Sequence, residues 1–254
     1  MNLLRDTALV FGRAWRLSVR TPVWVFIGLI QPVLYLVLFG PLLERVAAAQ
    51  GFPGADAWLV FTPGLLIQLA LFGSAFVGFG IIAEVREGVV ERMRVTPVSR
   101  LALLLGRVLR DVVVLLVQAA ILVGLAALVF DLRPDWAGVA ASVVLVALLG
   151  ALMASVSYAL GLALKSEDAL APLLNGVSIP LLLLSGILLP MTLAPTWLYN
   201  LSRANPLAYM VDAARDLFAG ELATRAVGVG FAVTLACALL AAVAAVRTFQ
   251  RESG

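Results

Sequence analysis

Residues 57–83 read AWLVFTPGLLIQLALFGSAFVGFGIIA, 27 residues in a row without a charge. A helix needs about 20 predominantly apolar residues to cross the hydrocarbon core of a bilayer, so this run holds one crossing and not two. Pro63 and Gln68 interrupt it, and Gly64, Gly73, Gly78 and Gly80 leave little side chain between neighbouring helices. Five further charge-free gaps share its character: 21–43, 112–130, 136–164, 169–202 and 226–246. The gap at 169–202 exceeds one crossing but falls short of two, which makes the expected count six.

The whole composition agrees. Of 254 residues, 63% are hydrophobic and 13% charged, and the mean hydropathy is +1.06. Ordinary soluble domains are about 45–50% apolar and about 25% charged. A water-soluble globule and a disordered chain are both excluded. The net charge is +3, and Lys165 is the only lysine among 18 basic residues. The charges lie between apolar blocks, so they read as topology signals and not as a nucleic-acid surface. No histidine is present, which removes histidine-based catalysis and histidine metal sites. Cys237 stands alone and can form no intrachain disulfide. No metal site and no catalytic group is expected.

Arginine placement sets the orientation. With the N-terminus inside, the inner segments carry 13 basic residues and the outer ones 5. Both termini are therefore expected in the cytoplasm. Ala47-Ala48-Ala49 faintly resembles a signal cleavage site. Four arginines precede that first apolar run and Glu44 and Arg45 intervene, so it reads as a retained span.

The fold expected is an all-α membrane protein forming one transmembrane domain over 1–254, with spans at about 22–43, 57–83, 108–130, 136–164, 169–190 and 226–247. Residues 3–20 alternate apolar Leu4, Val10, Phe11, Trp15 and Leu17 with Arg5, Arg13, Arg16 and Arg20, which predicts an amphipathic helix in the cytoplasmic interface. Gln31-Pro32 predicts a kink in the first span. In the fourth, Ala147, Ala151, Ser155, Ala159 and Ala163 repeat every four residues, a small-residue stripe for close helix packing. After Pro190 the chain reads MTLAPTWLYNLSRANPLAYMVDAARDLFAG. It is too short and too charged to cross, so a half-entering helix, a turn and an amphipathic helix on the outer leaflet are expected.

The most structured polar stretch is 84–111, EVREGVVERMRVTPVSRLALLLGRVLRD. Glu84, Glu87 and Glu91 lie three and four residues apart and share one helical face, with Arg86, Arg92 and Arg94 interleaved. Thr96-Pro97 ends this short helix, and Ser99 can cap the next. Inside loops need arginines but not three aligned glutamates. A cytoplasmic helix of mixed charge with Val89, Val90 and Met93 suits the docking of a soluble partner as well as it suits a solvated loop. No GxxxxGK[ST] motif occurs, so the chain does not itself bind ATP by a P-loop. No acidic pair lies within a span, so an ion-coupled carrier lacks its charge relay.

The run EVREGVVERMRVTPVSR resembles the loop after the second span in type 2 ABC exporter permeases, in particular the daunorubicin/doxorubicin-resistance-type drug-export branch. The resemblance continues through LLLLSGILLPMTLAPTWLYNLSRANPLAYMVDAARDLF, at Ser185-Gly186, Pro190, Trp197, Asn205-Pro206, Asp212 and Arg215. It covers nearly the whole chain, including the six-span layout. It implies that 84–95 is a coupling helix, with Glu84, Arg86, Glu87, Gly88, Glu91, Arg92, Arg94 and Pro97 docking on a separate ATP-hydrolysing subunit. ATP and Mg would be bound there and not in this chain, which is not expected to be an enzyme. Two permeases, identical or paralogous, and two ATPases would form the working unit in a bacterial cell membrane. Residues 187–225 would form a re-entrant gate. Gln31, Gln68, Asn175 and Ser178 are weak candidates for polar contacts along a substrate path, each read more simply as structural. The solute implied is amphipathic or hydrophobic: a drug, an antibiotic or a lipid-like molecule. A glycan exporter, an ion-driven carrier, an intramembrane serine enzyme and a non-transporting scaffold remain as rivals.

Overall fold

The computed structural model describes residues 3–21, 23–50, 57–88 and 99–251. Among these residues the chain is helical and forms no strand. The helices are α1 (Leu3–Arg20), α2 (Val23–Gln50), α3 (Ala57–Ala75), α4 (Gly78–Arg86), α5 (Arg100–Val129), α6 (Trp136–Leu164), α7 (Glu167–Leu183), α8 (Thr196–Ser202), α9 (Pro206–Phe218) and α10 (Arg225–Arg251). A single 3₁₀ turn, Met191–Leu193, precedes α8.

Five stretches are long and apolar enough to cross a membrane: Val25–Leu42, Ala57–Arg86, Leu101–Val129, Trp136–Leu164 and Arg225–Phe249. The span expected at 169–190 is the 17-residue helix α7, with Pro172 and Pro180 inside it. At about 1.5 Å per residue it is roughly 25 Å long, a little short of the hydrocarbon thickness. The third span begins earlier than its charge-free gap, because α5 is one helix from Arg100 onward. As its spacing predicts, Ser99 caps that helix: its hydroxyl accepts from the Ala102 amide at 3.1 Å.

The core is organised around α3. Every residue from Phe61 to Leu71 is buried, so α3 has no face left for lipid. It packs against α2, α5, α6 and α9, while α6 packs most extensively on α10. A helix buried all round reads as uniformly apolar, which is why residues 57–75 show no amphipathic period. By contrast α2 and α10 leave much apolar surface exposed: Phe26, Ile30, Leu34 and Leu38 on α2, and Leu235, Leu239 and Leu240 on α10. Around α6, Ala151 and Ala159 of the four-residue stripe pack beside Tyr158, Ala245 and Phe249.

The span 57–86 is broken between α3 and α4, where Phe76 and Val77 form a turn. In a membrane the backbone groups freed by such a break have no water to turn to. Ser157 of α6 supplies both partners. Its hydroxyl accepts from the Gly78 amide at 2.8 Å and donates to the Ala75 carbonyl. Only glycine fits at 78, because a Cβ there would strike the Ser157 main chain. Ser157→Ala should therefore leave a buried donor and acceptor unpaired and cost about 1–3 kcal/mol. A lowered thermal midpoint of the detergent-solubilised chain would report it, and Ser157→Thr should recover part of the loss.

Candidate functional site

Two polar constructions stand at opposite ends of the span 57–86. One surrounds Glu84 and the other surrounds Arg215.

At the first, α4 ends at Arg86 and turns through Glu87 and Gly88, where Gly88 has φ +69°. The start of the helix expected at 84–95 thus falls inside α4. Glu91, Arg92, Arg94 and Pro97 lie outside the described residues. Glu84 turns back into the bundle and accepts from the guanidinium of Arg107 on α5. Arg86 reaches across to Glu167 at the first turn of α7, 3.1 Å away. That pair is exposed, so by itself it is worth about 0–1 kcal/mol. Glu87 stands exposed at the turn.

Behind Glu84 lies a network that the sequence reading missed. Asp111 of α5 is 6% exposed, and the Tyr158 hydroxyl of α6 donates to it at 2.5 Å. Arg110 sits 3.2 Å from the same carboxylate and donates to the Ser18 hydroxyl of α1 at 3.3 Å. Arg107 is 7% exposed. In the sequence Arg107, Arg110 and Asp111 stand only as the end of the polar stretch 84–111. Their spacing of three and four puts them on one face of α5, and that spacing was the available signal. The network joins α1, α4, α5 and α6.

At the second construction, α7 ends in the Ser185-Gly186 turn. The Ser185 hydroxyl donates to the Leu182 carbonyl at 2.6 Å. Gly186 takes φ +78°, the left-handed conformation that stops a helix and that glycine adopts without strain. The carbonyls beyond this stop have no helical partners, and Arg215 collects them. Its guanidinium donates to Gly186 at 2.7 Å and Ile187 at 3.3 Å, and also to Val60 of α3 at 3.0 Å. Burial lowers the Arg215 pKa to about 10, with Asp212 opposing the shift, so it remains cationic at neutral pH.

Asn205 completes this joint. Its side chain caps α9 by accepting from the Leu207 amide at 3.0 Å, with Pro206 in the first helical position. Its amide also donates to the Leu181 carbonyl at 2.7 Å, tying α9 to the end of α7. Asp212 faces elsewhere and accepts from Arg203 at 2.9 Å, whose guanidinium lies over the rings of Tyr199 and Tyr209. Pro190 leads into the 3₁₀ turn and Trp197 is 68% exposed.

The amphipathic helix expected beyond Pro190 is α9, and it packs its apolar face into the bundle. On α9, Leu207, Met210, Val211, Ala213, Ala214 and Phe218 are buried against α3, α6 and α10. Small Ala208, Ala213 and Ala214 allow that approach, and the charges at Asp212, Arg215 and Asp216 each have protein partners.

The four candidate path residues differ in exposure. Gln31 and Asn175 are exposed on α2 and α7, while Ser178 and Gln68 are buried. Neither amide atom of Gln68 has a partner among the described residues. Gln118 on α5 was also missed. It donates to the Val25 carbonyl of α2 at 2.9 Å and so fastens the first span to the third. Among the described residues no cluster of acidic, cysteine or histidine side chains could hold a metal ion.

Comparison with known proteins gives consistent matches. Residues 5–219 match the model of the ABC-2 type transporter family. The chain is 24% identical over 235 residues to the daunorubicin resistance ABC transporter permease protein DrrB1 of Streptomyces coeruleorubidus, covering 91% of this chain and 81% of that one. It is 26% identical over 200 residues to ycf38 of Cyanophora paradoxa, a protein named as a transport permease, covering 78% and 69%. The ycf38 of Pyropia yezoensis matches at 25% over 202 residues, covering 78% and 69%.

Arg215→Met should strand three carbonyls at once and cost more than about 3 kcal/mol. Arg215→Lys keeps a charge but not the fork, and should fall between. Thermal unfolding in detergent orders the three proteins, and limited proteolysis within 184–195 should quicken in the same order.

Proposed function

The chain belongs to the ABC-2 type transporter family, and from that premise we propose that it is the membrane-spanning permease subunit of an ATP-driven exporter. Its solute is an amphipathic or hydrophobic molecule of the drug, antibiotic or lipid-like class, taken from the cytoplasm or inner leaflet of a bacterial cell membrane. The observation that carries this reading is the similarity to a daunorubicin-resistance permease along 91% of the chain. The interior supports it, since the wholly buried stretch Phe61–Leu71 holds no charged residue.

In this reading six helices cross: α2, α3 with α4, α5, α6, α7 and α10. Both termini are cytoplasmic and α1 lies in the inner interface. ATP and Mg are held by a separate ATPase subunit, present in two copies beside two permeases. The loop between α4 and α5 docks on that subunit through Glu87, Gly88, Glu91, Arg92, Arg94 and Pro97. Glu84 and Arg86 sit behind the docking surface and pass its movement to α5 and α7, the helices they already grip. ATP must favour one arrangement of these helices by differential binding free energy, or nothing moves. Ser185, Gly186, Asn205 and Arg215 form the pivot of the outer segment, with Pro190 and Trp197 at its rim.

Two measurements test this. Gentle isolation from the native membrane should bring down a Walker-motif ATPase in stoichiometric amount. Isolation without one, under conditions that preserve other transporter complexes, would overturn the exporter reading. In the reconstituted complex, Glu87→Arg with Glu91→Arg should lower solute-stimulated ATP hydrolysis at least about tenfold, the effect of roughly 1.4 kcal/mol lost at the contact. Membrane insertion should be unchanged. Wild-type transport by that double variant would remove the docking role from this loop.

A further inference from the structure

Beside the buried network a cavity of 250 Å³ opens between α1, α4, α5 and α6, with Val25 of α2 on its wall. Pockets for whole drug-sized ligands run about 300–1,000 Å³. This one has room for a headgroup and a few carbons. Its polar wall carries Arg13, Arg107 and Arg110 against a single lining carboxylate, Glu84. Asp111 stands behind Arg110. Arg107 is engaged by Glu84 and Arg110 by Asp111 and Ser18, while Arg13 has no ion-pair partner among the described residues. Three guanidinium groups thus meet two carboxylates and leave one positive charge in excess. Each guanidinium has five N–H donors, and the internal bonds leave some of them unused. The rest of the wall is apolar, with Val10, Leu17, Val25 and Val114, and Leu17 is 56% exposed on the outside of α1.

A cationic floor with an apolar side opening past a surface helix matches one kind of molecule. We propose that this cavity binds the phosphate of a net-anionic phospholipid headgroup, with its acyl chains leaving along α1. Guanidinium forks take phosphate oxygens in pairs, and the excess charge selects an anionic head over a zwitterionic one. Once filled, the site cross-links α1 to α5 through the lipid, since Arg13 comes from one helix and Arg107 and Arg110 from the other. The inference does not depend on which solute the chain exports or on the ATPase.

The test uses the full chain purified in a neutral detergent. It is mixed with phosphatidylglycerol or phosphatidylcholine carrying the same acyl chains, passed over a sizing column, and the retained lipid is measured by mass spectrometry. Phosphatidylglycerol should be retained at about one per chain and about tenfold over phosphatidylcholine. Arg13→Gln with Arg110→Gln should lower that retention about tenfold. Arg5→Gln, the same charge change on an exposed part of α1 outside the cavity, should leave it unchanged. If Arg110→Gln unfolds the chain, Arg13→Gln alone should still give a several-fold drop, because that side chain is exposed and holds nothing together. Equal retention of the two lipids overturns the proposal. So does an undiminished signal in Arg13→Gln, or displacement of the lipid by millimolar inorganic phosphate, which would assign the site to a free anion.

Discussion

Arg215 donates to three main-chain carbonyl oxygens on two separate segments, Val60 on α3 and the Gly186–Ile187 turn beyond α7. Much of the molecule depends on that arrangement. A chain surrounded by lipid must satisfy its own backbone, so irregular structure survives only where protein supplies the partners. The Ser185–Ile187 turn beyond α7 is irregular and buried. Without a multiply donating side chain, the carbonyls freed by the Ser185-Gly186 stop would be buried unpaired. A guanidinium is suited to the task because its donors are fixed in a plane and reach several acceptors at once. Asn205 works in the same joint by capping α9 while bonding back to α7. The same constraint explains Ser157, whose single hydroxyl bridges the break between α3 and α4.

Charge is handled differently at the other end. There Ser18, Glu84, Arg107, Arg110, Asp111 and Tyr158 form a partly buried chain across four helices. Buried ion pairs are poor sources of net stability, because desolvation consumes most of the attraction. Breaking one is nevertheless costly, since it strands a charge. Such a network therefore fixes register more than it adds stability. It ties α1, α4, α5 and α6 in one relative position beside the end of α4. The two ends differ accordingly: the Arg215 end is held by bonds to the main chain, and the Glu84 end by side-chain pairs that can exchange partners.

Much of this was legible in the chain itself, and the reasons are physical. Charge-free runs announce spans because a charge in hydrocarbon is expensive, so five long apolar stretches appear where gaps were counted. Ser99 announces its helix because a cap requires one residue type at one position. Ser185-Gly186 and Asn205-Pro206 entered through the family resemblance, although a helix stop and a helix start are equally local signals. Partners remote in sequence were not legible. Asp111 and Tyr158 are 47 residues apart, and Gln118 and the Val25 carbonyl are 93 apart. Nothing local specifies such pairs. The position of α9 was also beyond reach. Its charges kept it out of the list of spans, and only the tertiary structure shows that Arg203, Thr224 and three carbonyls partner them.

Arg107 and Arg110 show how two demands can share a residue. The positive-inside rule asks for arginines at the cytoplasmic end of a span, and any exposed position would satisfy it. Here they are turned inward, where one pairs with Glu84 and the other with Asp111 and Ser18. Desolvation makes that placement unfavourable unless the pairing is close. In the proposed exporter the same placement puts the response to the docking loop where the loop begins. A shift of Glu84 by even a few ångströms breaks its bond to Arg107 and leaves a buried guanidinium seeking another partner. The nearest space is the cavity lined by Arg13 and Glu84. In that exporter ATP would act on these pairings, because a machine driven by a modest difference in binding free energy needs charges that can exchange partners at little cost.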